Sequence, residues 1–417
     1  MLLNPSKRRK EIQVTQTMKM FSLTVATVLV VSMIAAPAAL AQKKIITPQS
    51  SIERPEDLGL RAHTNFVYVE NDVPASAPGS NWETPGSIAC VYHLVKFTAG
   101  CPIATAKTVP TGGSKAIALV DAFDNPNASQ DLTTFSAQFG LPAPVFQQVY
   151  ASGVKPRNDA GGWSIEEALD IEWAHAMAPN AAIYLVEAKS SSFADLYAAE
   201  VVASNLVAAA GGGEVSNSWS GGEYSTELAD EASFFSTSGV VYFASTGDSG
   251  LNAIGVPAVF ANVVAAGGTT VNRNTSGGFT GEKYWTNGGG GGFSQFEALP
   301  FYQKNRAGIT GTKRAIPDIS SDADPNSGVA MYDADGGFGW IQVGGTSVSS
   351  PTLAGIVNSA GGFKTNSKME LTKIYNEYSN ATQYKLLFRD ITTGDSHCTT
   401  GWDICTGVGS PLSFRGE

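Results

Sequence analysis

The chain is short of positive charge, of histidine and of cysteine, and each shortage closes off a class of chemistry. Across 417 residues there are 27 Lys and Arg against 37 Asp and Glu, a formal net charge of −10 with a pI near 5.0. The first 41 residues hold five Lys/Arg and one Glu, so the remainder of the chain is nearer −14. Nucleic acid and anionic lipid are held by basic patches, and neither is an expected partner. The four histidines, His63, His93, His175 and His397, are scattered, and none opens a helix as His-Gly-Thr. The four cysteines fall in two close pairs, Cys90/Cys101 and Cys398/Cys405. They lack the CxxC spacing usual in zinc sites, so two local disulfides are expected over a zinc site built from all four. Charged residues make up only 15% of the chain and glycines number 45, which suits a loop-rich globular protein and not a disordered one.

What is present begins with an export signal. Lys7-Arg8-Arg9-Lys10 and Lys19 precede an apolar run from Phe21 to Ala36, and Ala39-Leu40-Ala41 ends it before Gln42. These are the three parts of a secretory signal peptide, so residues 1–41 are expected to be removed and the product to be extracellular or periplasmic. No later run is long enough to span a bilayer. Residues 42–112 read as an extension, Pro/Gly/Ser-rich from Ser51 and without a clear fold. From residue 113 to 417 no linker divides the chain, and a single large domain is expected. Lys115–Asp121, Ala182–Val186, Glu214–Ser218, Val240–Ala244 and Val263–Ala266 read as buried strands. Ser129–Gly140, Ser164–Met177 and Phe193–Ala210 read as helices between them. Such alternation implies an α/β fold, a mostly parallel sheet with helices on both faces. Gly277–Gly292 reads as a glycine-dense loop, and its GGGGGF lacks the lysine of a phosphate-binding loop.

Three stretches carry candidate chemistry. Gly344-Gly345-Thr346-Ser347-Val348-Ser349-Ser350-Pro351 sets a hydroxyl between a glycine turn and an apolar helix. Backbone N–H groups at a helix start can face developing negative charge, although a Ser/Thr-rich helix cap is the plain alternative. The segment Trp163–Pro179 reads as a helix ended by its proline, and in it Glu166 and Asp170 are four apart and share a face. Two like charges so placed repel unless a shared proton offsets them, and a solvated acidic face is the alternative. Val240–Ala244 runs into Gly247-Asp248-Ser249-Gly250, where a strand-end aspartate is either functional or a turn cap.

Taken in order, these motifs resemble the sedolisin (serine-carboxyl peptidase) family, relatives of subtilisin that use carboxylates in place of histidine. Gly267-Gly268-Thr269, Gly289–Ser294 and Pro317-Asp318-Ile319-Ser320 fall in family order as well, and the likeness runs from about Gly113 to Ser410. It implies a subtilisin-like fold and a secreted, monomeric, acid-active peptidase acting on proteins or peptides. Ser347 would be the nucleophile, Glu166 its base, Asp170 the residue orienting Glu166, and Asp248 a protonated donor to the oxyanion. Asp121 would extend the carboxylate network, with Trp219 beside it, a strand-end turn aspartate and a core tryptophan being the plain alternatives; His175, off the Glu166/Asp170 face, reads as structural. A calcium ion (Ca2+) is implied at Asp390, Ile391, Thr399, Gly401 and Asp403, two carboxylates and three backbone carbonyls, with Thr399 where glycine is usual. Residues 42–112 fall short of the family's full-size propeptide domain, which leaves the restraint of activity open. The alternative function is an inactive secreted binding protein that keeps the peptidase fold.

Overall fold

A computed structural model describes residues 43–70, 73–414 and 416, and the expected signal peptide lies outside them. Apolar strands organise the fold. Ala116–Ala122 is buried along its whole length and sits near the middle of an eight-stranded sheet. The order across that sheet is Phe279–Tyr284, Val264–Arg273, Val240–Ser245, Gly213–Asn217, Ala116–Ala122, Ala182–Ala188 and Val145–Tyr150, with Ile319–Asp322 branching from Val264–Arg273. Every pairing is parallel except that of Phe279–Tyr284. That antiparallel strand lies inside the stretch expected as a glycine loop: backbone pairing to Val264–Arg273 overrides the glycine content.

The two-residue period of a strand divides the interior into two cores. Ile117 and Leu119 face one, with the helices Trp163–Met177 and Thr346–Ala360; Ala116, Ala118 and Val120 face the other, with Phe193–Ala209. Leu353 and Ile356 of the helix Thr346–Ala360 are fully buried, each contributing roughly 1.5–3 kcal/mol by leaving water. That helix lies tight against Trp163–Met177. A Cβ on Gly355 would stand 2.6 Å from Met177 Cβ and 2.9 Å from Ala174 O, so this contact needs glycine and sets how closely the two helices approach.

Residues 43–112 belong to the same compact unit as the rest. Val67–Val69 pairs with Gly339–Gly344, and His63–Thr64 pairs antiparallel with Trp219–Gly222. Pro85–Val91 is a buried helix begun by a Thr84/Ser87 capping box and tied by the Cys90–Cys101 disulfide. These elements are too short to show a period in the sequence. Cys398 and Cys405 are also bonded. Among the described residues, no helix is long and apolar enough to cross a membrane.

Candidate active site

The sheet reverses its order between Ala116–Ala122 and Gly213–Asn217, and the crevice at the carboxyl ends of such strands is where α/β sheets hold ligands. Asp121 closes in on that crevice from one strand and Ser218, just past Asn217, from the other. The helix Thr346–Ala360 starts there too. Its N-cap, Gly345, has φ of 115°, and a Cβ there would stand 2.2 Å from Asn65 O. Only glycine fits.

A helix N-terminus leaves its first N–H groups without internal partners. Here Thr346 N–H donates to Asp248 Oδ1 at 2.8 Å, Ser347 N–H to Asn65 O at 3.0 Å, and Val348 N–H to Gly345 O at 3.0 Å. Ser347 is fully buried, and its Oγ donates to Glu166 Oε2 at 2.8 Å, with Ser218 O a second acceptor at 3.1 Å. Pro351 has no N–H to return to the Ser347 carbonyl one turn back, and Ser218 Oγ stands 3.3 Å from that oxygen instead.

The acid-bearing helix is not a solvated face: all fifteen residues from Trp163 to Met177 are buried. Asp170 Oδ1 accepts from Ser218 Oγ at 2.6 Å. Glu166 Oε1, Asp170 Oδ2 and both oxygens of Asp121 are buried without a hydrogen-bond partner. Burial pushes the Glu166 carboxyl well up, and the Asp170 and Asp121 charges push it further, against the bond from Ser347. Burial and Asp121 likewise raise Asp170, and burial takes Asp121 to about 8. With no cation among these influences, protons are what keep the cluster inside the protein. Trp219 is buried nearby, its indole N–H donating to Val120 O at 2.9 Å. His175 stands apart, its Nε2 3.1 Å from Pro142 O.

Asp248 sits across the crevice. Its Oδ1 also accepts from Thr346 Oγ1 at 2.8 Å, while Oδ2 is buried and unpartnered. Burial raises its pKa to about 7 against the opposing pull of the Thr346 bonds. The Cβ that Gly345 lacks would lie 2.7 Å from Asp248 Oδ2 as well as against Asn65 O, so the two oxygens flank one bare stretch of backbone. A cavity of about 140 Å³, lined in part by His63, Ser220, Gly247 and Asp248, opens beside it.

The structure thus brings Ser347, Glu166, Asp170, Asp121 and Asp248 together. Sequence reasoning missed Ser218, Thr346 and Asn65. Ser218 had a signal, since it ends a strand at the edge that carries Asp121. Asn65 had none, because only tertiary pairing carries it here.

The residues read as metal ligands are also neighbours. Asp390 accepts from Gly401 N–H at 3.0 Å and from Tyr384 OH at 3.0 Å, and Asp403 Oδ2 accepts from Thr399 N–H at 2.7 Å. Burial raises Asp403 to about 6, and the Asp390 charge adds to the rise. Among the described residues neither carboxylate has a basic partner, and no group of three or more His, Cys, Asp or Glu gathers as a metal site. Two adjoining carboxylates beside loop carbonyls still suit a hard cation.

No protein-family model matches the chain. It is 31% identical over 326 residues to kumamolisin of Bacillus sp. (strain MN-32), covering 68% of this chain and 56% of that protein. To sedolisin of Pseudomonas sp. (strain 101) it is 26% identical over 348 residues, covering 73% and 57%. The chain therefore spans a little over half the length of the curated relatives it matches. Among solved structures, the Pseudomonas sedolisin (serine-carboxyl proteinase) complexed with two molecules of pseudo-iodotyrostatin superposes with a TM-score of 0.64 at 23% identity, covering 81% of this chain and 96% of that one. That likeness is one of fold.

Proposed function

The chain belongs to the sedolisin family, with its subtilisin-like fold, and from that premise we propose that it is an acid-active serine-carboxyl peptidase. The observation that carries this reading is the 2.8 Å hydrogen bond from Ser347 Oγ to Glu166 Oε2, made at a helix N-terminus and inside a carboxyl cluster without a cation. In the reaction, Ser347 Oγ attacks the carbonyl carbon of a peptide bond as Glu166 takes its proton. The carbonyl oxygen, now negative, is held by Ser347 N–H and by a proton on Asp248 Oδ2. Glu166 then gives the proton to the leaving amine as the C–N bond breaks. Water repeats the sequence on the ester and frees Ser347. Asp170, held by Ser218, steadies Glu166, and Asp121 extends the proton-sharing cluster behind it.

The acid dependence follows from Asp248. Its donor proton is present below about 7 and lost above, so activity falls as pH rises through that value. Secretion accords with two disulfides in one chain. A Ca2+ ion would be held by Asp390 and Asp403 with the carbonyls of Ile391, Thr399 and Gly401, bracing the loop that the Cys398–Cys405 bond closes. The substrates would be proteins or peptides, cut by a monomer.

The test is Ser347→Ala. The purified variant should keep the wild-type melting curve and lose hydrolysis of denatured casein at pH ~4. Casein hydrolysis near the wild-type rate would return the chain to the alternative of a binding protein that only keeps the fold.

A further inference from the structure

The crevice is filled by the chain itself, in the register of a substrate. Residues 61–65 run extended between a loop and a strand: Arg61 bridges antiparallel to Ser192, and Ala62 N–H donates to Ser191 O at 2.8 Å. On the opposite side His63 and Thr64 pair with Ser220 and Trp219. Asn65 N–H donates to Ser218 O at 3.3 Å, and Asn65 O accepts from Ser347 N–H at 3.0 Å. That same N–H is the backbone donor to the oxyanion. The carbonyl seated for attack is therefore that of Asn65, and the bond beyond it is Asn65–Phe66.

The Asn65 side chain reports on the pocket that receives it. Its Nδ2 donates to Ser245 Oγ at 2.6 Å, and its Oδ1 accepts from Ser220 Oγ at 2.9 Å. Ser245 Oγ in turn lies 3.4 Å from Asn217 O, which can take its proton. The carboxamide is thus met at both ends, by an acceptor and by a donor, and Asn65 is 1% exposed. A leucine there would forfeit both short bonds and leave Ser220 and Ser245 only their longer contacts, each 3.4 Å, to His63 Nε2 and Asn217 O.

We propose that this pocket, built by Ser220 and Ser245, selects asparagine at the residue whose carbonyl is attacked, and that Asn65–Phe66 is the first bond the enzyme cuts. The proposal rests on the peptidase reading. Ser347 Oγ bonds to the Asn65 carbonyl carbon, the C–N bond to Phe66 breaks, and the Phe66 amine receives the proton that Glu166 took. Water then releases Asn65 as a carboxylic acid. Until that cut, residues 61–66 keep other peptides out.

The experiment uses the full-length chain brought to pH ~4, followed by intact mass, N-terminal sequencing and casein hydrolysis. Wild type should acquire Phe66 as a new N-terminus before casein is digested, and the Ser347→Ala chain should stay whole. The acid-treated enzyme is then given Arg-Ala-His-Thr-Asn-Phe-Val-Tyr and the same peptide with Leu in place of Asn. The Asn peptide should be cut with a kcat/KM at least about tenfold higher. Ser220→Ala and Ser245→Ala should each shrink that ratio, and the wild-type peptide pair decides the matter if either variant fails to fold. Casein digestion by a chain still whole at Asn65–Phe66, or equal rates on the two peptides, overturns the proposal and leaves the peptidase standing. Casein and both peptides left intact would instead bring down the peptidase reading itself.

Discussion

Of the carboxyl groups sealed inside this protein, two sets are kept there by opposite means. Asp318 faces Arg314, both fully buried. The guanidinium donates to its two oxygens at 2.8 and 2.5 Å, and Tyr375 OH and Ala265 N–H add bonds of 2.7 and 2.9 Å. Glu166, Asp170 and Asp121 are as deeply buried, yet among the described residues they have no cation and keep four unpartnered oxygens. The first arrangement satisfies charge with charge and holds strands and helix in place. The second leaves protons to do it, and a group whose proton is shared can give and take one. Burial alone does not separate a structural aspartate from a functional one.

The largest way to break the comparison is at the proton-held site. Glu166→Gln keeps shape and removes the proposed base, so kcat should fall by about 10²–10⁴ while the protein stays folded. Unchanged hydrolysis would put Glu166 in the same class as Asp318. Arg314→Met should do the reverse. It strands a buried carboxylate and should cost about 3–5 kcal/mol in urea unfolding, with the pH profile of whatever activity survives unmoved. A loss below about 1 kcal/mol would show that the pair is not what anchors Asp318.

The pH dependence of stability sharpens the contrast. Folded values raised above the unfolded carboxyl range mean that the native state binds protons more tightly. The stability so gained is complete below pH ~4. It is lost as pH rises through about 7 for Asp248 and about 8 for Asp121. Melting temperature should therefore decline from pH 4 to 8, roughly the span between the ordinary and raised values, and Asp121→Asn should flatten the decline. A melting temperature that climbs over that range would contradict proton-held burial. The smallest effect is expected at the C-terminal loop. There a chelator should lower the melting temperature slightly, by roughly 1–2 °C per kcal/mol for a chain of this length, and added calcium should restore it. Superimposable curves from a metal-depleted sample would take calcium out of the account.

Long periodic segments were legible in the sequence because each repeats one simple requirement. Ala116–Ala122 must be apolar on both faces to lie in a parallel sheet, and Phe193–Ala209 must bury one side against it. Glu166 and Asp170 were legible as a pair, since four residues of helix fix a shared face wherever the helix goes. Disulfide partners followed from closeness in the chain. Asp318 stood out only as part of a motif; its guanidinium partner gives it a role.

What the sequence determined by itself was therefore local: the strands and helices, a serine at a glycine turn, two acids on one helix face. Tertiary structure decided which acids carry protons, because that depends on whether a cation arrives from elsewhere in the chain. It also decided what lies against Ser347. Asn65 is 282 residues away from it, and no period or spacing connects the two. Their contact exists because His63–Thr64 finds its hydrogen-bond partners on the exposed edge of Trp219–Gly222, a pairing that only the folded sheet can offer.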